Sequence, residues 1–265
     1  MDILRYIILG LVQGLTEFLP VSSSGHLTLF ADFLEVDKDD ITFEILVHFA
    51  TALSTIVVFW EEIAELAVGF FKRNDDRGRK ARLYVGLIAL SAVPAGIVGV
   101  FFNDEIKPLY NSGFVGYMLL VTALILVVSQ KLNPPSNKDV GGKNSILIGL
   151  AQALAILPGI SRSGSTIGAA LLLGVSRKEA AKFSFLMALP VILGATLLET
   201  KDLFEADYEM SGNVEGYIAG FIAAFVSGLL ACKLMIKLVK GTNLMWFAVY
   251  CGIAGLTAIL LNLFA

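Results

Sequence analysis

Long apolar runs set the pattern of this chain. Residues 83–103, 108–130 and 241–265 carry no charged side chain, and each is about the 20 residues a helix needs to cross a bilayer. Longer, largely apolar stretches at about 42–71, 180–199 and 214–234 carry a few charges each and are read as further spans. Two further regions differ. Residues 3–19 and 27–34 are each too short to span, and the polar stretch PVSSSGH lies between them. The layout recurs at 146–157 and 167–173, around PGISRSG. Two short helices joined by a Pro/Gly/Ser turn predict a re-entrant hairpin, entering and leaving on one side. Irregular backbone at membrane depth is tolerated only where protein or a wet cavity surrounds it. The alternative is one kinked full-length helix per motif.

Composition agrees. Hydrophobic residues make up 56% of the chain and charged ones 16%, with mean hydropathy +0.77, whereas soluble proteins carry about a quarter charged residues. A polytopic helical membrane protein is expected, with membrane lipids and not nucleic acid around it. No cleavable signal peptide is expected, because Arg5 is the sole early cation and Glu17 interrupts the apolar run. Cys232 and Cys251 stand alone in apolar segments, without metal or redox spacing.

The chain also repeats itself. GLVQGLTEFLPVSSSGHL from Gly10 aligns with GLAQALAILPGISRSGST from Gly149, an offset of 139 (149 − 10). Gly10, Leu11, Gln13 and Leu15 then match Gly149, Leu150, Gln152 and Leu154, and Ser22, Ser24 and Gly25 match Ser161, Ser163 and Gly164. The expected organisation is all-α: a first repeat at 1–132 (hairpin 3–34, three spans), a linker at 133–145 rich in breakers, and a second repeat at 146–265 (hairpin 146–173, three spans). An odd number of spans per half inverts the second half relative to the first, with the functional site at the repeat interface. Charge gives an independent orientation. Placing the basic segment 72–82 in the cytoplasm also puts Lys131, Lys138, Lys143, Arg177, Lys178, Lys233, Lys237 and Lys240 there, and the acidic segments 35–40 and 199–209 outside. The two hairpins then enter from opposite sides and their tips can meet near the midplane.

Those tips hold the chemistry. Gln13 and Glu17, spaced i, i+4, share a helix face, and a carboxylate inside an apolar segment marks function by default. Ser22, Ser23 and Ser24 follow; such hydroxyls cap helices or contact substrate. His26 is the titratable group beside them, suited to acid, base or nucleophile work. In the second tip Arg162 stands among Ser161, Ser163, Ser165 and Thr166. A helix N-terminus attracts anions, and arginine offers phosphate a two-pronged contact. The set suits phosphoryl transfer, which needs positioning and charge neutralisation above all. Glu44 and His48 share a face at i, i+4 and read as a structural pair or a support behind the site. Lys182 and Glu199 are expected to snorkel, Trp60 and Trp246 to anchor at the interface, and Gly10, Gly14 and Gly149 to permit close helix packing.

QGLTEFLPVSSSGH together with PGISRSGST closely resembles the undecaprenyl-diphosphate phosphatase family, known through bacitracin resistance, and the resemblance extends over the whole chain. It implies hydrolysis of a polyprenyl diphosphate to the monophosphate carrier on the outer face of the cytoplasmic membrane. It also implies catalytic roles for Glu17, Ser23, His26 and Arg162, and substrate contacts from Gln13, Ser22, Ser24, Ser161, Ser163 and Thr166. Either Ser23 or His26 would supply the nucleophile or activate water. A divalent cation, Mg²⁺ or Ca²⁺, is implied at Glu17 with Gln13. The family pattern begins with Glu or Gln, and the amide of Gln13 is the weaker ligand for a hard cation. A homodimer is compatible with this reading. The main rival is a polyprenyl-phosphate flippase or secondary transporter, since inverted repeats with broken helices also serve transport. An acid-phosphatase-like lipid phosphatase shares the S-G-H turn but needs a downstream arginine–histidine motif, and His48 is the sole other histidine.

Overall fold

The computed structural model describes residues 3–36, 41–72, 75–134, 138–205, 213–241 and 243–264. Over these the chain is helical, apart from one isolated bridge between Lys138 and Val175. Helices α1 (Ile3–Phe18) and α2 (Ser23–Phe33) form the first short pair. They are followed by α3 (Ile41–Val58), α4 (Trp60–Phe71), α5 (Asp76–Phe101), the four-residue α6 (Asn103–Ile106), a 3-10 turn at Lys107–Leu109, and α7 (Ser112–Lys131). The second short pair is α8 (Gly142–Leu154) and α9 (Arg162–Leu172), followed by α10 (Arg177–Glu205), α11 (Val214–Gly241) and α12 (Met245–Phe264). Six helices (α3, α5, α7, α10, α11 and α12) are long and apolar enough to cross a membrane. The chain is a multi-pass membrane protein. Its surface fits that solvent: Leu124, Leu230, Leu261 and Phe264 are exposed, while Gln13, Ser54, Ser129 and Thr166 are buried.

Two expectations need correcting. The apolar run at 42–71 is two helices, because the chain bends at Phe59 (φ −104°, ψ 23°). The ladder of hydrogen bonds carries on across the bend, Phe59 N donating to Thr55 O and Ile63 N to Phe59 O, and the Phe59 ring stays in the core against Phe185 at 6.0 Å. Beyond the bend α4 carries Glu61, Glu62 and Glu65, and of its residues Gly69 alone is buried; three carboxylates on twelve residues suit an interface, not a span. The basic segment 72–82 is helical from Asp76, capped by the Asp75 side chain accepting from Arg77 N. The linker expected at 133–145 gives its last four residues to α8, and Lys138 bonds the backbone of Gly174 and Ser176. Nor was α6 anticipated. Residues 37–40 and 206–209 of the acidic segments lie outside the described residues, as does the 135–137 part of the linker.

Packing crosses between the halves. Helix α1 lies along α11 and α8 along α5; α3 lies against α11 and α10 against α5; α7 and α12 pair with each other. The aligned glycines do the same job in both copies. A Cβ on Gly10 would stand 2.2 Å from the carbonyl oxygen of Gly220 on α11, and one on Gly149 2.5 Å from that of Ser91 on α5. Gly14 is equally closed off, by Ser227 and the Ala224 carbonyl. These glycines let the short helices sink against the long ones, as small residues do in membrane helix pairs.

Candidate active site

Each short pair turns through a capped corner. Ser22 caps α2 with its hydroxyl accepting from Gly25 N (3.3 Å), and holds a left-handed backbone at φ 72°. A non-glycine residue so placed stores about 1–3 kcal/mol of strain and is typical of functional corners. Ser161 caps α9 in the same way, accepting from Gly164 N at 3.0 Å. The tight conformation here falls on Gly159 (φ +95°), where a Cβ would meet Met118 Cβ and Val115 O at 2.6 and 2.7 Å.

The two corners touch. Gly25 and Gly159 approach so closely that a Cβ on the first would stand 3.0 Å from the Cα of the second, and the Ser163 hydroxyl donates to the Leu19 carbonyl at 3.0 Å. The paired helices α7 and α12 brace this junction crosswise. Thr122 of α7 donates its hydroxyl to Gly159 O and accepts from Ser161 N, both at 2.9 Å. From α12, Cys251 Sγ lies 3.7 Å from Pro20 O. Both cysteines are free and buried.

One carboxylate organises the centre. Glu17, 7% exposed, accepts on one oxygen from the Arg162 guanidinium (Nη2) and on the other from Ser23 Oγ at 2.5 Å and Gln13 Nε2 at 3.0 Å. Ser23 and Arg162 are the first residues of α2 and α9, and they stand opposite one another in the repeat. Equivalent positions of the two halves thus converge on one acid. Two polar atoms of these side chains are buried without a protein partner among the described residues: Gln13 Oε1 and Arg162 Nη1. The charge balance is local, one cation to one anion, and leaves an arginine N–H and an amide oxygen for a ligand.

The remaining expected residues divide. Ser22 and Ser24 are 3.4 Å apart at the hydroxyls. Thr166 donates to the Arg162 carbonyl and meets Ser184 Oγ at 2.6 Å, and Ser161 and Ser163 lie 3.3 Å apart. These three hydroxyls hold the second corner together; Ser165 Oγ is buried with no partner among the described residues. His26 turns the other way. Its Nδ1 contacts Ser22 O at 2.8 Å, and since a carbonyl can only accept, the proton sits on Nδ1. Its Nε2 therefore accepts from the Tyr250 hydroxyl at 2.7 Å, with the two rings stacked. No hydrogen bond or ion pair joins His26 to Glu17 or Arg162 among the described residues.

Two side chains at the site were undervalued or missed. His48 belongs to it: Nδ1 lies 3.1 Å from Gln13 Nε2 and 3.9 Å from Glu17, while Nε2 faces Glu44 at 3.8 Å. The i, i+4 spacing to Glu44 offered a local explanation that concealed the contact with α1. Tyr250 lies in an apolar stretch that gives no sign of pairing with a histidine 224 residues away. Of the residues set aside earlier, Lys182 rests 4.8 Å over the Tyr84 ring, and Trp60 and Trp246 are exposed.

The arrangement matches known proteins over nearly the whole chain. A family model described as bacitracin resistance protein BacA matches residues 6–257. An undecaprenyl-diphosphatase of Bacteroides thetaiotaomicron is 46% identical over 99% of this chain and 100% of its own length. Proteins of the same name from Halothermothrix orenii and Methanosphaera stadtmanae are 41% and 39% identical over 98% and 99% of both chains. With both motifs meeting at one carboxylate and the match running from end to end, the chain belongs to the bacitracin resistance protein BacA family.

Proposed function

We propose that this chain is an integral membrane phosphatase that hydrolyses a polyprenyl diphosphate, undecaprenyl diphosphate by its relatives' name, to the monophosphate and inorganic phosphate. The product is the lipid carrier recycled for cell-envelope glycan synthesis. The observation that carries the reading is Glu17 accepting at once from the Ser23 hydroxyl and the Arg162 guanidinium. A transporter has use for the arginine but none for a hydroxyl aimed at a carboxylate.

In this mechanism Arg162 Nη1 takes an oxygen of the terminal phosphate while Nη2 stays on Glu17. Ser23 Oγ attacks the terminal phosphorus and gives its proton to Glu17. The bond from that phosphorus to the bridging oxygen breaks, and the prenyl monophosphate leaves with the bridging oxygen. Water then attacks the phosphoserine phosphorus, and the bond from phosphorus to Ser23 Oγ breaks as Glu17 returns its proton to that oxygen. Phosphate leaves with the oxygen and hydrogens of the water, so that Ser23 and Glu17 are restored. Ser23 is favoured over His26 as nucleophile because its oxygen is the one on the base, whereas the His26 lone pair is engaged by Tyr250.

A divalent cation fits these residues in a limited way. No group of three or more His, Cys, Asp or Glu side chains among the described residues could hold a metal. Gln13 Oε1 is a buried oxygen without a partner, and Glu17 adjoins it. Those two would hold a Mg²⁺ or Ca²⁺ whose other ligands are phosphate oxygens and water, the usual manner for Mg²⁺. When bound, it would neutralise charge on the phosphate oxygens.

We read the two short pairs as re-entrant hairpins of an inverted repeat in the cytoplasmic membrane, with the site open to the outer face. The crosswise packing of α1 on α11 and α8 on α5 supports the repeat, and segregated charge supports the orientation. A cysteine at Asp104, whose side chain is 94% exposed, should be labelled from outside by an impermeant reagent, and one at Arg79 should not. The opposite result overturns the orientation. Both native cysteines are buried, which keeps the background low. The function itself is tested in detergent, where no transport is measurable. Purified protein should release phosphate from a short-chain prenyl diphosphate, and binding without release would favour the flippase or transporter.

A further inference from the structure

The protons of the buried cluster can be placed from charge alone. Glu17 faces the Arg162 guanidinium and is therefore ionised, so that both its oxygens can only accept. Gln13 must then present nitrogen to Glu17, as it does at 3.0 Å. The same nitrogen is 3.1 Å from His48 Nδ1. An amide nitrogen carries only hydrogens, so Nδ1 must offer a lone pair, and the His48 proton sits on Nε2, toward Glu44 at 3.8 Å. Both hydrogens of the Gln13 amide are thereby held, one by Glu17 and one by His48. Gln13 Oε1 is left as the buried oxygen with no partner among the described residues.

We infer that His48 is a positioning residue for the reaction: acting through Gln13, it fixes the amide so that Oε1, not the nitrogen, is offered to the reacting group. The inference rests on the phosphatase reading above. An acceptor offered there repels phosphate oxygens and attracts a cation or the hydrogens of water, so it complements Arg162 Nη1, which attracts the phosphate. Without His48 one amide hydrogen loses its acceptor, and the side chain can turn to other partners. Glu17 alone holds Gln13 at one point; His48 supplies the second, which stops rotation. Its role is orientation, and it requires no change of charge on the imidazole.

The test compares His48→Leu, His48→Asn, Gln13→Leu and the double variant His48→Leu/Gln13→Leu in detergent, with a short-chain prenyl diphosphate as substrate. Outer partners that orient ligands typically contribute about 10–100-fold, so His48→Leu should lower kcat by about that factor, with KM little changed because Arg162 is untouched. Asparagine places an amide oxygen near the position of Nδ1, so His48→Asn should recover most of the loss. The double variant should be no worse than Gln13→Leu alone. A wild-type kcat in His48→Leu, failure of asparagine to restore, or losses that multiply in the double variant would each overturn the inference. Thermal melting with and without Mg²⁺ alone gives a second readout. Stabilisation by the ion should be similar in the unchanged chain and His48→Asn, and weaker in His48→Leu and Gln13→Leu; equal stabilisation in all four would also overturn it. If the unchanged chain releases no phosphate, the phosphatase reading falls, and the melting comparison still decides whether His48 acts on Gln13.

Discussion

Glu17→Gln is expected to lower phosphate release by about 10²–10⁴-fold, the range typical of removing a general base, while the protein remains folded. The substitution keeps the shape but changes three contacts together. Ser23 loses the carboxylate that receives its proton, and its hydroxyl meets an amide that is a far weaker base. Arg162 loses its counter-charge although its side chain is only 18% exposed, and an uncompensated buried charge is costly. Gln13 would face an amide instead of an acceptor-only carboxylate, and its own orientation is no longer fixed. The measurement is phosphate release at saturating substrate, with monodispersity in detergent and the melting curve as controls for folding. Activity comparable to the unchanged chain would mean that the acid is structural and would return weight to transport.

Arg162 should give a graded response. Arg162→Ala is expected to cost about 10²–10³-fold, the usual effect of removing one electrostatic stabiliser, and Arg162→Lys to retain weak activity. The geometry explains the gradation. The guanidinium holds Glu17 through Nη2 and keeps Nη1 without a protein partner, so it can serve acid and phosphate simultaneously. Lysine has one nitrogen for both tasks, on a flexible stem. In a setting with little water a fixed cation is worth far more than in solution. Charge moves onto the bridging and terminal oxygens as the anhydride breaks, so the loss should fall on kcat as well as KM. Normal hydrolysis by Arg162→Ala would leave the second corner as scaffolding and remove half of the proposed site.

Much of this site could be read from the chain because polar residues are conspicuous in an apolar setting. Glu17 and Arg162 stood out for that reason, and the offset of 139 already set Ser23 opposite Arg162. What could not be read was direction. His26 lies two residues beyond Ser24, and its position in the motif says nothing about a ring turned to Tyr250 on the last helix. His48 had an adequate neighbour in Glu44, so its contact with Gln13 appeared only once α3 lay beside α1. The bend at Phe59 leaves no mark in hydropathy, since Val57, Val58, Phe59 and Trp60 are apolar on both sides of it. The repeat also conceals an inequality. Gln152, aligned with Gln13, is buried with neither amide atom paired among the described residues, and the place corresponding to Glu17 is Ile156. The motif recurs in the sequence, and the acid occurs in one copy of it.

That single acid has its cation 145 residues later in the chain. A growing polypeptide therefore inserts Glu17 long before Arg162 has been made. In that interval a carboxylate lying in an apolar helix has no counter-charge from the second corner, and the protonated form is the less costly one to bury. In the mechanism proposed above, the first half alone would have no Arg162 to take the phosphate. Hydrolysis by that mechanism waits for Arg162, and a chain stopped short of it leaves its lipid surroundings chemically untouched.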